Sequence, residues 1–276
     1  MNGKQIKKLL ARTRLTSGKG FRLRDHDPDD TAPKVVDENE APALLEAGVA
    51  RLSELQTLLY AQSTWSLLCV FQAIDAAGKD GTISVIAGAF NPQGTPVTSF
   101  KVPSAREAAH DFLWRVHAAV PGKGEIGIFN RSHYESVLIV RVHNLEPEDQ
   151  WRRHYGEIRD WERMLTDEGV TILKFFLAID KDEQRRRFQE RVDDPTKRWK
   201  FHLADIEERK FWDAYRTAFE EMLAETSTAY APWYLIPANH NWLRNLAVSE
   251  IVADAIDELN PQYPAAATGI EGLKVV

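Results

Sequence analysis

A single cysteine, Cys69, among 276 residues excludes an internal disulfide framework and every multi-cysteine metal centre. It also points to a reduced compartment. Long hydrophobic runs are missing too: stretches such as Leu67–Phe71 reach about five residues, against the ~20 needed to span a bilayer. The basic start, Met1–Arg12, lacks the apolar core and small-residue cleavage site of a secretory signal, so the expected location is the cytoplasm. Nor is there an excess of positive charge. Thirty-five Lys plus Arg stand against 41 Asp plus Glu, a net charge of −6, which argues against a dedicated nucleic-acid binder but leaves room for a local basic pocket. No HExxH pattern is present, and no zinc is expected. The remaining composition, 43% hydrophobic and 28% charged, is that of an ordinary globular chain.

Residues 1–42 are polar and punctuated, with Asp25–Pro33 reading as a loop, and are expected to form an extension and not a domain. From Leu44 to Tyr60 the apolar residues follow helical spacing, so residues 1–60 read as an extension plus a helix packed on the core. Five short apolar runs follow: Leu67–Phe71, Val97–Phe100, Ile126–Phe129, Thr171–Ile179 and Trp233–Ile236. Each is consistent with a buried strand. Helical signals separate them, including the capping-box pattern at Ser104–Glu107 opening a run through His117, and the segment Glu146–Glu168. Val137–Val140 is open between a sixth strand and the start of a buried helix. The alternation predicts an α/β fold with a parallel sheet sandwiched by helices, residues 61–276 forming one domain.

The most informative stretch runs from Ser66 to Ile83, a predicted strand entering a small-residue turn with Gly78-Lys79 and then a predicted helix. That is the context of a phosphate-binding loop: Ala76, Ala77, Gly78, Asp80, Gly81 and Thr82 bring backbone N–H groups close to phosphate oxygens, and Lys79 adds a point charge. The strict pattern has Gly at the position of Ala73 and Ser or Thr at that of Asp80. The competing reading is an ordinary strand-to-helix turn with a solvated lysine. Asn130-Arg131-Ser132-His133-Tyr134-Glu135 follows another predicted strand, where open α/β sheets bind ligands. Residues 181–200 carry eight basic and five acidic residues, read either as an anion site or as a solvated helix face laced with ion pairs. His110 and His117 share a helical face, and lone histidines of this kind are more often satisfied neighbours than ligands.

These residues, with Ser99–Ser104, His110–Arg115, Arg198–Phe201 and Ala231–Ala238, make the chain resemble the polyphosphate kinase 2 family over about residues 25–255. The resemblance implies a P-loop kinase-like fold with a helical lid at about residues 181–210. It implies transfer of phosphoryl groups between inorganic polyphosphate and the nucleotides AMP, ADP and ATP, using Mg²⁺ or alternatively Mn²⁺, in a dimer or tetramer. It assigns catalysis to Asp75, Lys79, Arg131 and Arg191. Lys101, Arg187 and Lys200 join the loop as phosphate-binding candidates, Asn130, His133, Tyr134, Glu135 and Arg141 are nucleotide-binding candidates, and Asp75 and Glu135 are metal candidates. Asn130 stands where many members have Asp, as in the subgroup acting on both mono- and diphosphates. Asn239-His240-Asn241-Trp242 likewise departs from Asp-His-Lys-Trp.

An acceptor phosphate is already largely ionised at neutral pH, its second pKa being about 6, so the expected reaction needs no strong base. It needs two polyanions held in line. The alternatives are a nucleoside triphosphate-dependent P-loop nucleotide kinase and a catalytically weak regulator that binds polyphosphate or nucleotides.

Overall fold

The computed structural model describes residues 1–33, 35–270 and 272–274. The helices are α1 (Gly3–Thr13), α2 (Ala41–Gln62), α3 (Lys79–Ala87), α4 (Ala105–Ala108), α5 (Trp114–His117), α6 (Ile139–Val142), α7 (Glu148–Asp167), α8 (Lys181–Asp193), α9 (Leu203–Glu208), α10 (Trp212–Thr226) and α11 (Asn241–Glu258). The strands are β1 (Arg14–Leu15), β2 (Ser66–Ala73), β3 (Val97–Ser99), β4 (Ile126–Asn130), β5 (Val170–Ala178) and β6 (Trp233–Pro237). They form one sheet in the order β1-β6-β5-β2-β4-β3, parallel except for β1, which pairs antiparallel with β6. All five predicted apolar runs are parallel strands.

The strands read as unbroken apolar runs because both faces are covered. In β2, Leu67, Cys69 and Phe71 enter one core layer, while Leu68 and Val70 enter the other, as a two-residue period requires. The first layer is closed by α1, α2, α3 and α11, with Leu9, Leu52, Leu59, Ile86 and Val252 among its members. The second is closed by α7 and α10, through Ile158, Trp161, Phe219 and Met222. The extension therefore contributes both a core helix and an edge strand. Burial of Ile6 and Leu9 fixes α1, and Asn2 caps it by accepting from the Lys4 and Gln5 N–H groups at 3.1 and 3.0 Å.

Two local expectations resolve differently from a simple reading. The Ser104–Glu107 capping box forms, with Ser104 N–H donating to Glu107 at 2.7 Å, but the helix stops after one turn. Asp111 then accepts the Leu113 N–H at 3.0 Å, an Asx turn that restarts the chain as α5. Val137–Val140 is not a strand. It spans the end of a 3₁₀ turn, His133–Val137, and the start of α6, joined at Leu138 with φ −107° and ψ −87°.

The order of connections puts a switch between β2 and β5: the chain leaves β2 toward β3 and leaves β5 toward β6, on opposite sides. The crevice outside the carboxyl ends of such neighbours is where open α/β sheets bind ligands.

Leu59 is fully buried between α2 and the sheet layer beneath it. Leu59→Ala is expected to cost about 2–5 kcal/mol, measured as a lower denaturant midpoint at unchanged m-value.

Candidate active site

The chain turns out of β2 through Ile74-Asp75-Ala76-Ala77-Gly78 into α3. Two residues adopt the left-handed region here, Ala76 with φ 68° and Gly78 with φ 91°. The Ala77 N–H closes the turn on the Ile74 carbonyl at 3.2 Å. Two arginines hold the loop from behind. Arg187 of α8 donates to the Ala76 carbonyl at 3.0 Å and to the Ala238 and Asn239 carbonyls at 2.5 and 2.9 Å. Arg244 of α11 donates to the Ala77 carbonyl at 3.1 Å, to Thr82 Oγ1 at 2.6 Å and to Asn241 Oδ1 at 2.6 Å. In a trans peptide the next N–H points opposite to the carbonyl, so the Gly78 N–H faces away from Arg244. Together with the first-turn N–H groups of α3, which have no intrahelical acceptor, it forms a set of backbone donors of the kind that can bind anions.

Gly78 has no substitute in this arrangement. A Cβ on it would lie 2.1 Å from the Arg244 guanidinium. Burial and the neighbouring Arg187 push Arg244 down to about 10, which leaves it charged at neutral pH.

Beside the loop, the end of β4 supplies Asn130 and Arg131. Lys79 Nζ contacts Asn130 Oδ1, while Asn130 Nδ2 donates to Asp80 at 2.8 Å. Arg131, itself left-handed with φ 62°, reaches Asp75 at 3.4 Å. A cavity of about 180 Å³ opens here, lined by Asp75, Arg131 and Glu135 and by Trp212, Tyr215 and Phe219 of α10. Gln184 joins the two sides, donating to the Asp75 carbonyl at 3.0 Å and accepting from Arg209 at 2.8 Å.

Burial lowers the pKa of Lys79, with Asp80 opposing. Burial raises the pKa of Glu135 against the pull of Arg131 and Lys79. At Arg131 burial works against the charge, but Glu135 and Asp75 outweigh it and the net direction is up. Charges of both signs therefore converge on a partly desolvated cleft, the arrangement from which transition-state charge is stabilised most strongly.

Asp75 and Glu135 line the same cavity. No cluster of three or more His, Cys, Asp or Glu able to hold a metal occurs among the described residues. The two-carboxylate donor set fits Mg²⁺, which takes one or two protein carboxylates and completes its shell from phosphates and water.

The comparisons with known proteins bear on this geometry. A family model, Polyphosphate kinase 2, matches residues 35–264. The chain belongs to the polyphosphate kinase 2 family. It is 53% identical over 255 residues to an AMP/ADP-polyphosphate phosphotransferase of Meiothermus ruber, covering 92% of this chain and 96% of that protein. An ADP-polyphosphate phosphotransferase of Rhodopseudomonas palustris is 48% identical, covering 80% and 81%. The crystal structure of polyphosphate kinase 2 from Arthrobacter aurescens TC1 superposes with TM-score 0.92 at 41% identity, covering 95% and 94% of the two chains. The structure is thus that of a P-loop kinase-like phosphotransferase family, and no helix among the described residues is long and apolar enough to cross a membrane.

Within this polyphosphate kinase 2 fold, the predicted residues divide. Asp75, Arg131 and Glu135 line the cavity, and Lys79, Asp80 and Asn130 form the adjoining polar bridge. Arg191 lies one turn past Phe188, a cavity residue, and donates to the Lys200 carbonyl at 3.2 Å. Seven others lie elsewhere. His133 and Tyr134 are buried at 3% and 0% exposure; Tyr134 donates its hydroxyl to Glu162 at 2.6 Å and has no surface to offer a nucleotide. Arg141 pairs with Glu221 at 2.6 Å and lies over Trp151. Arg187 is spent on carbonyls and Glu183, so it holds the loop and does not face its mouth. Thr82 is fully buried, its hydroxyl engaged by Arg244 and Asn245. Lys101 and Lys200 are exposed and outside the cavity lining; Lys200 Nζ sits 5.0 Å over the Trp199 ring. Arg244, Gln184, Trp212 and Tyr215 were not foreseen. Arg244 had a faint signal, three residues beyond Asn241.

The histidine pair is explained by local neighbours: His110 stacks on Trp114 at 4.1 Å, and His117 accepts from Trp161 Nε1 at 3.1 Å.

Gly78→Ala is expected to lower kcat by about 100-fold or more, the scale of a misplacement near 1 Å, in a protein whose far-UV circular dichroism is unchanged. A second expectation concerns Asp180, which caps α8 by accepting from Asp182 and Glu183 N–H at 2.9 and 2.7 Å. Burial works against its charge, but these N–H bonds and Asn239 hold its pKa below the ordinary 3.8. Its contribution is therefore present above that value and lost as pH falls through the depressed one. Asp180→Ala is expected to cost about 1 kcal/mol at pH 7, and the gap from wild type should narrow in unfolding titrations below pH ~3.8.

Proposed function

We propose that this enzyme transfers the terminal phosphoryl group of inorganic polyphosphate to AMP and ADP, reversibly. The observation that carries the reading is the meeting of Lys79 and Arg131 at the mouth of a phosphate loop whose carbonyls are turned inward, with Asp75 and Glu135 in the same cleft. Two polyanions that repel each other must be brought in line there, and fixed cations are what that requires.

The acceptor oxygen already carries its charge, so no side chain has to remove a proton. The loop N–H groups and Lys79 hold the donor end, Arg131 neutralises charge between donor and acceptor, and Trp212, Tyr215 and Phe219 give the acceptor an apolar wall. Of residues 181–210, the lid, the first turns of α8 stay anchored to the loop through Gln184 and Arg187, and the stretch from Arg191 onward moves, Arg191 meeting the phosphate chain when it closes. Asp75 and Glu135 would hold Mg²⁺, which when bound supplies further neutralisation of phosphate charge. A cytoplasmic location and a dimer or tetramer complete the reading; light scattering at working concentration tests the assembly.

Purified protein incubated with Mg²⁺, ADP and either polyphosphate or a second nucleoside triphosphate separates the alternatives. ATP formed with polyphosphate alone supports the proposal; ATP formed only from the triphosphate supports an ATP-type kinase, and none from either supports a regulator. Lys79→Ala should reduce turnover by at least about 100-fold with the melting temperature little changed. Near-normal turnover in that folded variant would remove the loop from the mechanism.

A further inference from the structure

The Asn130–Glu135 segment has two sides. Asn130, Arg131 and Glu135 serve the cleft, whereas His133 and Tyr134 enter the sheet layer covered by α7 and α10. There they meet a buried ion pair. Lys174, in β5 between two neighbouring strands, has no exposed surface. Its Nζ donates to Glu162 Oε2 at 2.6 Å, to Tyr134 Oη at 2.9 Å and to the Thr226 carbonyl at 2.8 Å. Tyr134 in turn donates to the other Glu162 oxygen at 2.6 Å, and His133 Nε2 lies 3.4 Å from that same oxygen. The rings of Tyr134 and Trp233 flank the ammonium at 5.4 and 5.2 Å, and Trp233 Nε1 donates to Thr226 Oγ1 at 2.9 Å. The cluster thus ties β5, β6, α7 and the end of α10 to one hydroxyl on the segment that presents Arg131.

Such a pair is poorly explained by stability. Desolvating two charges costs as much as their attraction returns, and apolar groups of similar volume often do at least as well. What apolar groups lack is direction. The three donors of Lys174 and the two oxygens of Glu162 admit one placement of the Tyr134 hydroxyl, and three residues before it Arg131 is held in the left-handed region with φ 62°. A non-glycine residue keeps that conformation only where its surroundings over-determine it.

We infer that Lys174 and Glu162 are positioning residues for phosphoryl transfer, setting through Tyr134 the pitch of the 132–137 segment and hence the place of Arg131 opposite Asp75 and Lys79. The inference rests on the reaction proposed above, and its test is read on polyphosphate-dependent turnover, so a failure of that reaction shows first in the wild type.

Single replacements leave a buried charge unpaired and threaten folding. The informative variants are therefore the neutral pair Lys174→Met/Glu162→Leu, and Tyr134→Phe, which removes one oxygen and keeps the ring. Each is made in the native background and with Arg131→Lys, which keeps charge but not the planar fork. Expected in the native background is a fall in kcat of about 10- to 100-fold for the neutral pair and a smaller fall for Tyr134→Phe. KM for ADP and polyphosphate should move by less than about threefold, as befits an interaction made in the transition state. With Arg131→Lys already present, the same changes should lower kcat by less than about twofold, the non-additivity of coupled residues. Wild-type kcat in the folded neutral pair would overturn the inference. So would an equal loss in both backgrounds, the mark of a general structural role; if the neutral pair does not fold, Tyr134→Phe in the two backgrounds decides by the same criterion.

Discussion

The structure depends on turning the carbonyls of one short loop away from its mouth. A peptide carries a donor on one side and an acceptor on the other, so a loop that binds anions must dispose of its acceptors. Here Arg187 takes the carbonyl of Ala76 and Arg244 that of Ala77. Both guanidinium groups are buried and aimed, and each is anchored a second time, Arg187 on the chain leaving β6 and Arg244 on the first turn of α11. The loop is thereby tied to two helices from distant parts of the sequence, and two positive charges lie directly beneath the place where phosphates would sit. Gly78 follows as a consequence, because the guanidinium of Arg244 occupies the space any side chain would need.

The sheet order supplies the second constraint. Because connections leave β2 and β5 in opposite directions, their carboxyl ends open a crevice that the next segments cannot cover. The loop after β2, the polar segment after β4 and the first turns of α8 all meet there. Each brings one kind of group: backbone donors, a fork of guanidinium and carboxylate, and the Gln184 amide that bridges toward α10.

Much of this was legible beforehand, for identifiable reasons. Buried parallel strands are written as bounded apolar runs, and all five stood out. Lys79 was legible because a strand, a small-residue turn and a helix start occur in that order around it. The two-residue strand β1 was not, since Arg14 and Leu15 carry no periodicity to read. Val137–Val140 could not be settled from apolarity alone, because a 3₁₀ turn running into a helix buries the same residues as a strand. The nucleotide candidates could not be sorted by sequence: His133 and Tyr134 share a motif with Arg131 and Glu135, but the tight turn directs the first two into the core and the other two toward the cleft. Arg187 sat in a charge run whose members look alike until burial separates them. Trp212, Tyr215 and Phe219 recur at helical spacing, which reads as packing, and their edges serve as cavity wall as well.

The Asn130 amide carries one further implication. Its oxygen faces the Lys79 ammonium while its nitrogen faces the Asp80 carboxylate, so it acts as a polar hinge between neighbours of opposite sign. An aspartate there would satisfy the lysine yet confront Asp80 across the distance of a hydrogen bond, and the two would have to share a proton, draw in a cation or swing apart. Positions 80 and 130 are therefore coupled: the charge at 130 decides whether the Asp80 carboxylate, fifty residues earlier in the chain, meets an amide, a proton or a cation.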